Sequence, residues 1–169
     1  MRFAYADPPY IGQAKKLYGC EEVDHAELLE RLSGYDGWAL SASSPSLRAL
    51  LPICPEDVRV GAWVKPFAIF KPNVNPAYTW EPVIFRGARK RNRTEPTVRD
   101  WVSCNITLKK GLCGAKPVQF CEWVVALLGV RARDTLDDLF PGTGIMGEVQ
   151  AAVAQADGDA GPAHRDGGL

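Results

Sequence analysis

The chain has 169 residues, of which 46% are hydrophobic and 24% are charged, so we expect one folded domain and exclude wholesale disorder. Its formal net charge is zero, but this zero is a sum of two unlike parts. Residues 86–116 carry nine Lys and Arg side chains against two acidic ones, and the rest of the chain is correspondingly acidic.

The sequence shows neither a membrane span nor a signal peptide. The longest apolar run, residues 123–130, is far shorter than the roughly 20 residues that cross a bilayer. Asp7, Pro8 and Pro9 interrupt the N-terminus before an apolar leader can form. We therefore expect a cytoplasmic protein that does not enter a membrane.

The cysteines and histidines do not have the spacing of a metal site. The five cysteines form no Cys-x-x-Cys pair, and the histidines are His25 and His164. We expect no metal, and we expect reduced thiols that are mostly buried. A catalytic cysteine is not favoured, because no histidine has an evident partnership with one.

Strand and helix patterns alternate along the chain, which predicts an α/β fold with a mostly parallel sheet. Asp24 with Glu27 predicts one helix N-terminus, and Ser44 as the N-cap before Pro45 predicts another. Pro82 indicates a bent or partly unpaired strand. The predicted strands are residues 2–6, 38–41, 58–64, 78–85 and 134–140. The predicted helices follow Asp24, Ser44, Lys116 and Gly144.

The first candidate site follows the first strand and consists of Asp7, Pro8, Pro9 and Tyr10. Proline fixes φ and has no N–H, so the carbonyl groups here lack local donors and form a rigid row of acceptors. Beside them lies the flat ring of Tyr10. Such a group of acceptors fits a planar ligand with an NH₂ group, such as the exocyclic amine of a nucleobase. The alternative is a turn that only closes a strand.

The second candidate site follows the last predicted strand. There Asp138 and Phe140 precede Pro141 and a Gly142-Thr143-Gly144 turn, and a helix comes next. Glycines allow close backbone approach, and a helix N-terminus offers free N–H groups to an anion. A lone Gly-x-Gly is also common in ordinary tight turns, so the alternative is a purely structural loop.

Together these motifs resemble those of the S-adenosylmethionine-dependent amino-methyltransferases, of the DNA adenine-N6 and cytosine-N4 type. The catalytic motif of that family is (D/N/S)PP(Y/F/W), and its cofactor motif is close to D-x-F-x-G-x-G. Lys116-Pro117 and the helix after it match a third family feature. The catalytic motif comes first here, which is the permuted order. The resemblance implies a circularly permuted, Rossmann-like methyltransferase domain over residues 1–155, followed by a disordered tail over 156–169.

The resemblance also implies the activity: methyl transfer from S-adenosylmethionine to the N6 amine of adenine in DNA. Alternatives are an RNA adenine-N6 or DNA cytosine-N4 methyltransferase, or a non-catalytic nucleic-acid-binding relative. The implied catalytic residues are Asp7, Pro8, Pro9 and Tyr10. The implied cofactor-binding residues are Lys116, Asp138, Phe140, Pro141, Gly142, Thr143 and Gly144.

Two further expectations concern the edges of this domain. Fewer than 30 residues follow Gly144, so the sheet is expected to be truncated on that side, as in a C-terminally short, phage-like member of the family. Residues 86–115 form a basic excursion where the permuted group carries its target-recognition region. Its candidate nucleic-acid contacts are Arg86, Arg89, Lys90, Arg91 and Arg93, and the alternative is a solvated loop.

Overall fold

The computed structural model describes residues 1–67, 72–107 and 115–159. Six strands form one sheet: β1 (Arg2–Ala6), β2 (Gly37–Ser41), β3 (Arg59–Val64), β4 (Trp80–Arg86), β5 (Trp101–Ser103) and β6 (Thr135–Asp138). Four α-helices accompany them: α1 (His25–Ser33), α2 (Leu47–Leu50), α3 (Val118–Leu128) and α4 (Ile145–Asp159). A π-helical turn spans Ala14–Tyr18, and 3₁₀ turns at Ser44–Ser46 and Leu51–Ile53 flank α2.

The strand order is β5-β3-β4-β2-β1-β6. β1 is parallel to β2 and β6, β3 is parallel to β5, and β4 alone is antiparallel to its two neighbours, β2 and β3. The predicted α/β fold with a mostly parallel sheet is therefore confirmed. Within the described ranges β6 pairs only with β1 and forms an edge of the sheet. This is the side on which we expected the sheet to be truncated.

The sheet separates two apolar cores. Alternate residues of a strand point to opposite faces, so Phe3 and Tyr5 of β1 pack with α3 and α4, while Ala4 and Ala6 pack on the side of α1 and α2. The predicted apolar face of α3 is buried in the first core. Its members are Phe120, Trp123, Val124, Leu127 and Leu128.

Local signals explain the helix ends, with one correction. The Asp24 carboxylate accepts from the backbone N–H groups of Ala26 (2.9 Å) and Glu27 (3.1 Å), which confirms the predicted cap of α1. α3 follows Pro117 and ends at Gly129, whose φ of 72° suits glycine. The Ser44 prediction was wrong by one residue, because the 3₁₀ turn already includes Ser44 and begins after Ser43.

Proline is compatible with β4 because of where Pro82 lies. The ladder to β2 begins one residue later, at the pair Ser41 and Val83, and the Pro82 carbonyl accepts from Ala42 N–H at 3.0 Å. The missing N–H therefore falls at the end of that ladder. The predicted partly unpaired strand is thus corrected to an interior strand paired on both sides.

In β3 the face that is buried is the one with Gly61 and Trp63, and the face with Val60 and Val64 is exposed. Val60 and Val64 are 40% and 37% exposed, whereas Trp63 is 3% exposed and its ring centre lies 5.1 Å from that of Phe120. Alternation predicted the strand correctly. It could not choose between two rows that are both compatible with burial.

The basic excursion contains regular structure that we did not predict. β5 lies within it, and the Arg91 guanidinium donates to the Ala126 carbonyl at the C-terminal end of α3 (2.6 Å). Residues 108–114 lie outside the described part of the chain. At the other end, α4 continues to Asp159, so the predicted domain boundary at 155 falls inside a helix, and residues 160–169 of the predicted tail lie outside the described ranges. None of the helices in the described ranges combines the length and apolar character of a membrane span.

Asp134 ties the start of β6 to the basic excursion. Its nearly buried carboxylate accepts from Arg89 (2.5 Å), from the Arg131 backbone (2.8 Å) and from the Met1 amino group (2.8 Å). Burial alone would raise the pKa of Asp134, but these donors outweigh it and lower the pKa to about 2. The unfolded carboxyl titrates near about 3.9, so its stabilising contribution is complete above that pH and is lost as the pH falls through about 2.

We therefore expect Asp134→Asn to remove a pH-dependent part of the stability. Because solvent screens part of the interaction, the expected loss at pH 6 is about 1 kcal/mol relative to the parent, and the two proteins should converge near pH 2. Urea unfolding at both pH values measures this difference. Glu21→Gln, at an exposed position, is the matched control, and an equal loss at pH 2 and pH 6 would contradict the linkage.

Candidate functional site

The two predicted loops emerge side by side. β1 and β6 are parallel neighbours with Tyr5 opposite Asp138, and Leu139 N–H donates to the Tyr5 carbonyl at 2.9 Å. Residues 7–10 and 139–144 therefore leave the carboxyl ends of adjacent strands. In an open α/β sheet this edge is where ligands bind.

Asp7 lies in an ion pair with Lys116. The Lys116 ammonium is 2.9 Å from Oδ1 of Asp7, and the two side chains are only 9% and 20% exposed. Burial raises the pKa of Asp7; Lys116 opposes that rise, and the negative charge of Glu81 adds to it. Lys116 was expected near the cofactor by resemblance. The structure places it against Asp7, the predicted catalytic carboxylate, and its cofactor role stays a prediction.

Aromatic rings surround the Lys116 ammonium. It lies 5.6 Å from the ring centre of Tyr10, 5.8 Å from Trp63 and 5.9 Å from Phe120. Such contacts stabilise a cation that has lost most of its water. The segment just before α3 thus delivers a buried positive charge to the edge of the sheet.

Glu81 and Lys65 complete the charged cluster, and the sequence analysis gave neither a role. The Tyr10 hydroxyl donates to Oε2 of Glu81 at 2.5 Å, Lys65 bonds Oε1, and Lys116 is 3.6 Å from Oε2. Burial alone would raise the pKa of Glu81, but Lys116, Lys65 and the Tyr10 hydroxyl outweigh it, so the pKa is lowered. A signal existed: both residues lie beside a proline where a strand meets this edge, Lys65 just after β3 and Glu81 at the start of β4.

Two buried hydroxyl groups near Asp7 are hydrogen-bonded to each other. The buried Tyr5 hydroxyl shares a 2.8 Å hydrogen bond with Ser41, the last residue of β2. Burial, assisted by the Asp7 charge, raises the pKa of Tyr5 well above its ordinary value, so it remains a neutral hydroxyl. Burial likewise raises the pKa of Cys121 to about 12, so its thiol is protonated at neutral pH.

The glycine loop has the geometry that close approach requires. Gly142 and Gly144 have φ values of 47° and 77°, and a Cβ added at Gly144 would meet no heavy atom within 4 Å. The Gly144 N–H donates to the Pro141 carbonyl (2.6 Å), and α4 begins at the next residue. The loop therefore leaves open space at a helix N-terminus, which suits a nucleotide-like ligand.

The remaining predicted cofactor residues shape or line this loop. Oδ1 of Asp138 accepts from Phe140 N–H at 3.2 Å, and Phe140 packs against the core on the α1 side. Burial raises the pKa of Asp138, with the Phe140 N–H opposing the rise and the Asp7 charge adding to it. Pro141 and Thr143 are exposed.

The five predicted nucleic-acid contacts do not form one group of free cations. Arg86 donates to Asp57 (2.6 Å), Arg89 donates to Gly129 O (2.9 Å) as well as Asp134, and Arg91 binds α3. Lys90 and Arg93 are exposed, and neither pairs with an acidic residue in the described ranges. No group of three or more His, Cys, Asp or Glu side chains in the same ranges could hold a metal ion.

Comparison with solved structures places this architecture. The crystal structure of the M1.HpyAVI–SAM complex is similar to this chain with a TM-score of 0.62 and 15% sequence identity, over 90% of this chain and 77% of that one. The crystal structure of M1.HpyAVI gives 0.58 and 17%, over 89% and 76%. The chain has a Rossmann-like methyltransferase fold. No family model matches the sequence, and no curated protein matches it either.

The ion pair in this fold can be tested without any ligand. Because Lys116 opposes the rise that burial causes, Lys116→Met should raise the pKa of Asp7 further, so that its carboxyl stays protonated to a higher pH. Carboxyl ¹³C NMR titration of Asp7 in parent and variant measures this directly. Lys16→Met, at an exposed position, is the control, and an unchanged titration in Lys116→Met would mean that the pair does not set the charge of Asp7.

Proposed function

We propose that this protein transfers a methyl group from S-adenosylmethionine to the exocyclic N6 amine of adenine in DNA. One observation carries the proposal: the Asp7–Lys116 ion pair lies beside an open glycine loop, on the carboxyl ends of two adjacent parallel strands. An acceptor for an amine and a turn for a nucleotide-like ligand are thereby neighbours.

The chain's own groups perform the amine chemistry in this proposal. An exocyclic amine is a poor nucleophile, because its lone pair is delocalised into the ring, and positive charge develops on it during attack. The Asp7 carboxylate and the Pro8 carbonyl accept hydrogen bonds from the two N–H groups of the amine and stabilise that charge. Lys116 favours the ionised form of Asp7, and Asp7 can take up the proton that leaves the amine afterwards.

The cofactor is assigned to the glycine loop. Gly142 and Gly144 permit close approach, and Asp138 holds the start of the loop through Phe140 N–H. When bound, S-adenosylmethionine supplies the electrophilic methyl group. The similar fold of the M1.HpyAVI–SAM complex supports this ligand, and the motif order supports a circularly permuted chain. Adenine is preferred to cytosine because Asp at the first motif position is commoner in adenine enzymes, and RNA remains the alternative substrate.

DNA binding is assigned to the exposed part of the basic excursion. A base in a duplex must leave the stack before its amine can reach Asp7, and the ring of Tyr10 can replace the lost stacking. Lys90 and Arg93 are the best candidates for phosphate contacts, since Arg86, Arg89 and Arg91 already have protein partners.

The test of the activity uses two variants with different defects. Parent protein with labelled S-adenosylmethionine and mixed DNA and RNA should yield N6-methyladenine from DNA, identified by mass analysis of nucleosides. Asp7→Ala should abolish transfer but retain calorimetric cofactor binding, because Asp7 acts on the amine. Gly144→Val should lose both, since a branched side chain at φ 77° strains the turn and fills its open space.

Gly147→Ala, in α4 where a Cβ meets nothing within 4 Å, is the matched control for the glycine variant. If Asp7→Ala transferred methyl groups at the rate of the parent, the catalytic role proposed for Asp7 would be wrong. A parent that binds DNA but no cofactor would favour the non-catalytic alternative.

The assignment of DNA binding to Lys90 and Arg93 predicts that some substitutions weaken DNA binding without lowering the stability of the protein. Lys90→Ser with Arg93→Ser should weaken duplex binding and flatten the slope of log K against log salt by up to about 0.9 per lost phosphate contact, with the melting temperature unchanged. Arg89→Ser should instead lower the melting temperature, because it removes the guanidinium group that pairs with the Asp134 carboxylate. Fluorescence anisotropy over a salt series measures the slope, and Arg31→Ser with Arg48→Ser is the control. An unchanged slope in the first variant would identify the excursion as a solvated loop.

A further inference from the structure

We infer that Glu81 is a positioning residue for the proposed reaction: through the Tyr10 hydroxyl it holds the ring on which the target base stacks. The inference rests on the proposed function, since it needs a base at Asp7. It assigns a purpose to a carboxylate that belongs to neither sequence motif.

The contact between the two side chains is short and directional. The Tyr10 hydroxyl donates to Oε2 of Glu81 at 2.5 Å, the distance of a hydrogen bond to an ionised acceptor. Burial and the neighbouring carboxylates of Glu81 and Asp7 raise the pKa of Tyr10 well above its ordinary value, so the hydroxyl keeps its proton and can only donate to Glu81. Stacking uses only the flat face of an aromatic ring, so it does not itself need a hydroxyl. The hydroxyl must therefore serve something other than stacking.

Glu81 is itself held on several sides. Lys65 bonds its Oε1, and Lys116 lies 3.6 Å from its Oε2. Its backbone belongs to β4, opposite Trp63 of β3, and Lys65 N–H donates to the Thr79 carbonyl at 2.7 Å. A carboxylate fixed between two ammonium groups on an interior strand gives a rigid anchor.

Tyr10 is thereby restrained at both ends. Near its backbone, Pro8 and Pro9 restrict the loop and the Tyr10 carbonyl accepts from Gln13 N–H at 2.8 Å. At its far end Glu81 fixes the hydroxyl, while the Lys116 ammonium lies 5.6 Å from the ring centre. The ring axis is therefore set before any base arrives, and Tyr10 remains partly exposed, so its ring can be reached by a base.

A purely electrostatic role for Glu81, as counter-charge to the two lysines, makes a different prediction. In that role Tyr10→Phe, which leaves both lysines paired with Glu81, would have a much smaller effect than Glu81→Gln, and base stacking would be unchanged. In the positioning role the two residues act through one bond. Their substitutions must then be coupled.

The experiment is a double-mutant cycle of Tyr10→Phe and Glu81→Gln, with Glu30→Gln on the exposed face of α1 as the control. The first readout is fluorescence of an oligothymidylate with one central 2-aminopurine, which reports base stacking without turnover. The second is kcat and KM for methyl transfer to mixed-sequence DNA. Melting temperatures establish that each variant is folded.

We expect each single variant to lower kcat about tenfold, the effect of losing one hydrogen bond to a charged group, with little change in KM. The double variant should be no worse than the worse single variant, and base stacking should fall in the same pattern. Multiplying effects, or full kcat in Tyr10→Phe, would overturn the inference while leaving the methyltransferase proposal intact. A parent that neither stacks the probe nor transfers methyl groups would overturn both.

Discussion

One ammonium group, Nζ of Lys116, determines how the candidate site is built. It lies between two carboxylates, 2.9 Å from Asp7 and 3.6 Å from Glu81, with little access to water. Ion pairs in such surroundings lose much of their hydration, and removal of one partner leaves an uncompensated buried charge. The arrangement therefore holds only as a set. The order of the site and the charge of Asp7 both depend on the same contact.

The reversed strand explains how these groups meet. Asp7 follows β1 and Lys65 follows β3, so both lie at the carboxyl edge of the parallel strands. Glu81 reaches the same edge from the start of β4, because β4 is antiparallel to its neighbours. A parallel strand there would have placed Glu81 at the opposite edge. The one antiparallel strand thus brings Glu81 to the candidate site.

Sequence reasoning recovered what is encoded locally. The cap at Asp24, the apolar face of α3 and the two motif loops each depend on a few adjacent residues, and period and residue type suffice to find them. The placement of Glu81 against Tyr10 depends on contacts 71 residues apart along the chain. The contacts of Arg89 were also beyond the reach of composition: it binds Asp134 and a carbonyl at the end of α3, and charge alone does not distinguish such a role from phosphate binding.

The two parts of the candidate site, the cluster around Asp7 and the glycine loop, differ in how far they are already organised without a ligand. The part around Asp7, which is proposed to bind the amine, contains four charged groups and three aromatic rings already in contact. The part proposed to bind the cofactor is a glycine turn that follows β6, an edge strand in the described part of the chain. Asp138 is hydrogen-bonded within the same loop. Catalysis depends on interactions that are stronger in the transition state than in the ground state. In the proposed reaction, a preformed set of acceptors for the amine would therefore support methyl transfer even at a modest ground-state affinity for the cofactor.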